Sequence, residues 1–131
     1  MTTLDEVLSG AIGPGVHPLD EATSVFDVDE RVGQRGWELF HVDGSGIADK
    51  DAFLHAVARA CRFPATFGNN WDALADSLSD LSWAPANGYV LLYDHHTRFR
   101  SRPDWTTVLD IFSDAAQRWS EAEIPFFVLL R

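Results

Sequence analysis

The sequence has a single cysteine, Cys61, so no disulfide can form within the chain, and no group of thiolates stands at the spacing of a zinc site. A secretory signal is also missing, because the opening MTTLDEVLSG has neither a basic start nor an apolar run. No later apolar stretch reaches the length that crosses a membrane. We therefore expect a cytoplasmic protein without metal or cofactor, in which Cys61 is a buried apolar residue.

Basic residues are scarce as well. The chain has 10 Lys and Arg against 20 Asp and Glu, which gives a formal net charge of −10. This charge repels nucleic acid and anionic membranes, so neither is an expected partner, and a cationic protein is the natural complement. Many proteins are acidic only to stay in solution, so the distribution of the acids is more informative than their number.

Hydrophobic periodicity, caps and turn residues predict alternating helices and strands in one domain of 131 residues. The predicted strands cover residues 37–42, 89–93 and 126–131, with a further short edge strand at 16–19. The predicted helices cover residues 3–10, 22–34, 49–61, 70–81 and 101–121. In the second helix, Val25, Phe26, Val28 and Val32 are expected to point inward. Strands separated by helices imply right-handed crossovers, so the predicted fold is a small α/β layer structure whose three or four parallel strands pack against helices.

The predicted helix at 70–81 carries an unusual row of acids. Asp72, Asp76 and Asp80 stand four residues apart, and at about 100° per residue they share one side of the helix. The opposite, apolar side is formed by Trp71, Leu74, Leu78 and Leu81. No Lys or Arg occurs between Arg62 and Arg98, so the acids have no local partner. Like charges at this spacing destabilise an isolated helix by roughly 0.5 kcal/mol or more in total.

A solvated polar face is the ordinary explanation of such a row. Two features favour a docking surface for a cationic partner instead. The missing bases leave the negative field uncompensated, and the residues between the acids are small, which lets another protein approach the helix closely. These small residues are Ala73, Ala75, Ser77 and Ser79.

The stretch FPATFGNNWDALADSL closely resembles the barstar family, whose signature joins a proline, an aromatic residue followed by glycine, an asparagine and an Asp-x-Leu-x-Asp helix. In this sequence those residues are Pro64, Phe67, Gly68, Asn70, Asp72, Leu74 and Asp76. The order of strands and helices over residues 37–131 is also similar to that family. The resemblance implies a barstar-like domain at 37–131, with residues 1–36 as an N-terminal extension packed on the same domain.

The resemblance implies an intracellular inhibitor of a secreted guanyl-type ribonuclease, binding it in a 1:1 complex, and not an enzyme. In that family the acidic helix and the loop before it plug the nuclease active site, where a carboxylate takes the place of the substrate phosphate. By resemblance, Asp76 matches the buried active-site carboxylate and Asp72 the acid one turn earlier. The other partner-binding residues that it implies are Thr66, Phe67, Gly68, Asn70, Trp71, Ala73, Asp80 and Asp114.

Some of these positions have a structural alternative. The helical angle of Trp71 points its ring to the core, and the spacing of Asp114 and Arg118 permits an ordinary ion pair within a helix. The sequence also departs from the family where relatives carry aromatic contact residues, because it has Thr66 and Ala75 there. Large rings normally anchor an interface, so this departure leaves the identity of the nuclease open.

Two alternative functions remain at this point. Asp94-His95-His96 follows a predicted strand and resembles a motif of the DHH phosphoesterases, in which such a run helps to bind a divalent metal. The match is short, and adjacent histidines in an acidic loop are more often exposed to solvent. The alternatives are therefore a metal-dependent phosphoesterase using these residues, or an adaptor whose acidic helix binds another basic protein without inhibiting it.

Overall fold

In the computed structural model, which describes all 131 residues, four parallel strands form one sheet in the order β1-β4-β3-β2. The strands are β1 Gly15–Pro18, β2 Glu38–Asp43, β3 Tyr89–Asp94 and β4 Phe126–Leu130. The helices are α1 Leu4–Ser9, α2 Val25–Gln34, α3 Lys50–Ala60, α4 Trp71–Asp80, α5 Thr97–Arg100 and α6 Trp105–Glu121. The predicted α/β fold is confirmed, and the edge strand makes the parallel sheet four-stranded.

Both faces of the sheet are buried. Successive side chains of a strand point to opposite faces, so Leu91 and Val128 belong to a buried cluster of 21 residues shared with α3, α4 and α6. Val90 and Leu92 point the other way, into a second cluster of 10 residues shared with α1 and α2. Every residue of β3 is buried, as its continuous apolar run predicted.

The strand order explains which face each helix covers. The chain crosses from β1 at one edge to β2 at the other, and then steps back through β3 to β4. Right-handed crossovers that run in opposite directions along a sheet place their helices on opposite faces. Therefore α2 lies on one face, and α3, α4 and α6 lie on the other.

The structure corrects one packing prediction in α2. Phe26 is 76% exposed, whereas Val28 and Val32 are fully buried. Val25, Val28 and Val32 recur three and four residues apart and share one side of the helix, while Phe26 is turned about 100° away from Val25. The helix also starts at Val25 rather than at residue 22. Ser24 is its N-cap, with a hydroxyl that accepts a hydrogen bond from the Asp27 amide at 3.1 Å.

Cys61 is fully buried next to α3. Burial raises the pKa of its thiol, because the surrounding apolar side chains disfavour the thiolate. The predicted role of Cys61 as a buried apolar residue is confirmed.

Candidate functional site

The helix α4 is fixed at both ends. Asn70 is its N-cap, and the Asn70 side-chain oxygen accepts a hydrogen bond from the Ala73 amide at 2.8 Å. At the other end Leu81 adopts a left-handed conformation, and its amide donates to the Ser77 carbonyl. Between the caps, Leu74 and Leu78 are fully buried. The apolar side of α4 thus determines which way its acids face.

The acids of α4 point to solvent. Asp72, Asp76 and Asp80 are all exposed, and none of them forms an ion pair. The only side-chain hydrogen bond among them joins the Ser82 hydroxyl to Asp80 at 3.2 Å. Arginines elsewhere in the chain do not neutralise the row, so its carboxylates are available to another molecule.

One cation near α4 was missed from the sequence. The ammonium of Lys50, at the first residue of α3, lies 5.3 Å from the centre of the Trp71 ring. The Trp71 ring is half-buried and lies 6.0 Å from the ring of Phe53. Trp71 therefore packs against the core, as its helical angle predicted. No spacing rule could find Lys50, because the contact joins two different helices.

The loop before α4 is held by aromatic side chains. The Phe63 and Phe67 ring centres are 4.9 Å apart, and Trp83 meets Phe63 edge-on at 5.8 Å. The Trp83 indole donates a hydrogen bond to the Cys61 carbonyl at 2.9 Å, and the Phe67 amide donates to the Pro64 carbonyl at 2.9 Å. These contacts hold the loop in one shape beside the start of α4.

Loop and helix together enclose a shallow depression of about 330 Å³. The residues from the predicted set that line it are Thr66, Phe67, Gly68, Ala73, Asp76 and Asp80. Asn70 and Asp72 lie between these positions at the start of α4. The structure therefore brings most of the predicted set together on one surface with two free carboxylates.

Asp114 lies on a neighbouring helix. It is exposed on α6 and forms no ion pair with Arg118, which was the structural alternative for this residue. The helix α6 packs against α4, and the Trp119 indole donates a hydrogen bond to the Leu78 carbonyl at 2.8 Å. Asp114 is thus an exposed acid without an ion pair on the helix that packs against α4.

The Asp94-His95-His96 run does not form a metal site. The Asp94 carboxylate accepts hydrogen bonds from Arg131 at 2.7 and 3.2 Å and from His41 at 2.8 Å. His96 is only 9% exposed, so the expectation that both histidines face solvent was wrong; its Nδ1 donates to the Arg131 carbonyl at 3.0 Å. No group of three or more His, Cys, Asp or Glu side chains is placed to hold a metal ion. Asp94 instead anchors the end of β4.

The fold and the exposed surface together define a class of protein. This is a small α/β protein that exposes an acidic helix and the aromatic-supported loop before it on one surface. Residues 37–131 match the family model described as "Barstar (barnase inhibitor)", which is well over half of the chain. The chain belongs to the barstar family, whose members are inhibitors rather than enzymes and bind ribonucleases.

Residues 1–36 lie outside the family match, although they supply α1, β1 and α2. No curated protein matches the sequence significantly. None of the helices has the length and hydropathy needed to span a membrane.

Proposed function

We propose that this protein is an intracellular inhibitor of a secreted, basic, guanyl-type ribonuclease, which it binds in a 1:1 complex. The acidic helix α4 and the loop at residues 63–70 enter the active site of the nuclease. Membership of the barstar family supports the ribonuclease as partner. The observation that carries the mode of binding is the row of exposed, unpaired carboxylates on α4.

The chemistry of a ribonuclease suits this surface. A site that stabilises phosphate charge must contain cationic donors, and a carboxylate satisfies the same donors without offering a bond to cleave. Asp76 is the central candidate, since it lines the depression and matches the active-site carboxylate of the family. Asp72 and Asp80 add negative charge on the same helix, and Asp114 adds an exposed acid on the adjoining helix α6.

Rigidity of the surface adds to affinity. The capped helix and the aromatic contacts of the loop leave few groups to be ordered when the partner binds. This advantage matters here because Thr66 and Ala75 replace aromatic anchors of the relatives. Partly exposed Phe67 is the one large ring that lines the depression from the loop, and we assign it the anchoring role.

The decisive experiment measures RNA cleavage by a panel of purified guanyl-type ribonucleases while this protein is titrated in. We expect stoichiometric loss of cleavage with at least one of them, and an association rate that falls steeply with salt. An adaptor would bind a basic protein and leave RNA cleavage unchanged. A phosphoesterase would show its own turnover, dependent on a divalent metal and on Asp94 or His95.

The matched variants are Asp76→Ala and Asp29→Ala. The Asp76→Ala variant loses the proposed contact of Asp76 with the nuclease, so binding weakens by about 2 to 5 kcal/mol. This is the usual range for truncating one partner of a buried charge pair. That range draws partly on complexes of this same family, so it is an expectation by precedent. Asp29 is also an exposed acid without an ion pair, on α2, and its loss leaves inhibition unchanged. Equal effects of both variants would contradict the proposed surface.

A further inference from the structure

A crevice lies at the carboxyl ends of β1, β3 and β4, away from α4. It consists of two adjoining depressions of about 390 and 470 Å³, and Glu21, Thr97 and Arg131 line both. Small-molecule sites typically occupy roughly 300 to 1,000 Å³, so the crevice has the size of such a site. No residue of α4 or of the loop before it contributes to its walls.

The topology of the sheet creates this crevice. The chain leaves β1 toward α2 on one face, and it leaves β3 toward α6 on the other face. Between them lies β4, and the loops that follow β1 and β3 line the crevice on either side of Arg131. Open α/β sheets bind ligands where neighbouring loops diverge in this way, outside the carboxyl ends of the strands. Because β1 and α2 belong to residues 1–36, the crevice combines the extension with the barstar-like part of the chain.

The smaller depression has apolar walls. Its apolar lining comes from the edge of the sheet, from α6 and from the first residue of the chain, and includes Val16, Leu19, Leu130, Trp105, Leu109 and Met1. The His96 ring stacks on Trp105, with ring centres 5.7 Å apart and planes inclined by 29°. Walls of this kind suit a flat ring or a short aliphatic body.

One ring nitrogen of the largely buried His96 has no hydrogen-bond partner within the protein. His96 is 9% exposed, and its Nδ1 donates to the Arg131 carbonyl, so Nε2 is the acceptor in the neutral ring. Nε2 has no hydrogen-bond partner within the protein. It is not fully enclosed either, because the Tyr93 hydroxyl is the one fully enclosed side-chain polar atom that lacks a hydrogen bond. Nε2 must therefore reach open space, and the crevice that His96 lines supplies it. A ligand hydroxyl would satisfy it.

The smaller depression is lined by two arginine side chains, Arg100 and Arg131, and by one acidic side chain, Glu21. Arg100 is exposed and forms no ion pair, so it is free to pair with an anion. Arg131 already binds Asp94 and the Thr23 carbonyl. Glu21 is the one acid of this depression, and its exposure to water screens its charge.

We propose that this crevice binds a small organic acid that has an apolar body, a carboxylate and a hydroxyl group. The apolar body lies against Trp105 and Leu109, the carboxylate pairs with Arg100, and the hydroxyl donates to His96 Nε2. This site is separate from the ribonuclease-binding surface and uses residues of the N-terminal extension. It gives the protein a small-molecule ligand that the inhibitor function does not require.

The test titrates ¹⁵N-labelled protein with 6-hydroxy-2-naphthoate, following amide and indole signals by NMR and heat by calorimetry. We expect saturable binding, with the largest shifts at the Trp105 indole and at residues 95–100. 2-Naphthoate, which lacks the hydroxyl, and 2-naphthol, which lacks the carboxylate, each bind about tenfold more weakly, because each loses one of the two polar contacts. Equal binding of all three compounds, or no saturable binding, would overturn the proposal.

Variants of one segment separate the site from general charge. Arg100→Gln weakens binding of 6-hydroxy-2-naphthoate about tenfold. Arg102→Gln removes an exposed arginine that does not line the crevice and leaves binding unchanged. Thr97→Trp fills the entrance from an exposed position and abolishes binding, while its dispersed NMR spectrum reports an intact fold. Asp76→Ala keeps full affinity for 6-hydroxy-2-naphthoate, so this test does not depend on the proposed inhibition. Equal losses of affinity in the Arg100 and Arg102 variants would contradict the site.

Discussion

The Asp94 carboxylate lies at the end of β3 between two donors, His41 of β2 and Arg131, which follows β4. Burial acts to raise its pKa, but the hydrogen bonds from Arg131 and His41 outweigh burial and hold the pKa of Asp94 below its usual value. The exposed Asp76 on α4 has no such partner. An aspartate at residue 94 therefore contributes to stability, whereas the aspartate at residue 76 is available for binding.

Replacing Asp94 by Asn removes the charge that Arg131 requires and leaves a guanidinium with 10% side-chain exposure without its counterion. We expect Asp94→Asn to lower the free energy of unfolding at pH 7 by roughly 2 to 4 kcal/mol. Urea denaturation followed by circular dichroism measures the loss. Asp29→Asn, at an exposed and unpaired position, serves as the control and should stay within about 0.5 kcal/mol of the parent.

The same pair predicts a pH dependence with a definite sign. Because the pKa of Asp94 is lowered in the folded state, its contribution to stability is present above the unfolded pKa of about 4 and is lost as the pH falls through the folded value. The stability difference between the parent and Asp94→Asn should therefore shrink as denaturation is repeated from pH 6 down to pH 3. A difference that stayed constant over this range would exclude the ion pair as its cause.

At the scale of secondary-structure elements, the start of α4 depends on Asn70, to which two roles are assigned. Asn70 caps the helix through its side-chain oxygen, and it is also a predicted contact residue for the nuclease. The structure accounts for the capping role. The contact role remains a prediction.

Two variants separate these roles. Asn70→Ala removes the capping oxygen and should cost about 1 kcal/mol of unfolding free energy, whereas Asn70→Ser retains a capping oxygen and should recover most of it. If Asn70 also contacts the nuclease, both variants weaken inhibition, because neither keeps the amide. Inhibition by the Ser variant equal to that of the parent would leave Asn70 with capping alone. Urea denaturation and inhibition titrations give the two readouts.

The sequence was sufficient for features that depend on neighbours along the chain. Spacing predicted the apolar and acidic sides of α4, and the predicted range 70–81 began at Asn70, which the structure shows to be the N-cap. Contacts across the fold were not predictable. Arg131 reaches Asp94 over 37 residues, and Lys50 reaches Trp71 from another helix. The same limit explains His96, whose burial depends on Trp105 and the end of β4.

Sequence separation also limits the candidate site. The carboxylates of α4 were identified because they recur within one helix. The aromatic support of the loop was not, since Trp83 joins Phe63 only after α4 has turned the chain back. The crevice at the carboxyl ends of the strands was missed for a similar reason. Its walls combine residues that are far apart in sequence, such as Leu19 and Leu130, so no local pattern indicates it.

At the scale of the whole molecule, the family match and the folded unit differ in extent. The match starts at residue 37, yet the sheet it contains has two apolar faces. Residues 1–36 cover one of them with six buried side chains: Leu4, Val7, Leu8, Leu19, Val28 and Val32. They also pair β1 with β4 along one edge of the sheet. The extension therefore supplies six of the ten buried residues of the second core.

Removal of residues 1–36 should expose that face. It would uncover Val90, Leu92, Phe127 and Leu129, which are at most 2% exposed in the complete chain. Apolar burial stabilises a fold by about 25 cal/mol per Å², so a small domain cannot lose a whole face and stay folded. We expect the fragment 37–131 to aggregate or to give a poorly dispersed NMR spectrum. A monomeric fragment with a dispersed spectrum would mean that residues 1–36 are dispensable for folding.

Point variants test the same idea in the complete chain, where aggregation of a fragment cannot mislead. Val28 is fully buried in α2, while Phe26, two residues earlier, is 76% exposed. Val28→Ser leaves a cavity and a buried hydroxyl, so it should lower the free energy of unfolding by roughly 2 to 4 kcal/mol. Phe26→Ser removes the larger side chain and should change the free energy of unfolding by less than about 0.5 kcal/mol.

If both variants unfolded at the parent's urea midpoint, the packing of α2 on the sheet would contribute nothing to stability. If inhibition by Val28→Ser were lost while its fold persisted at low urea, the extension would act on the nuclease-binding surface itself.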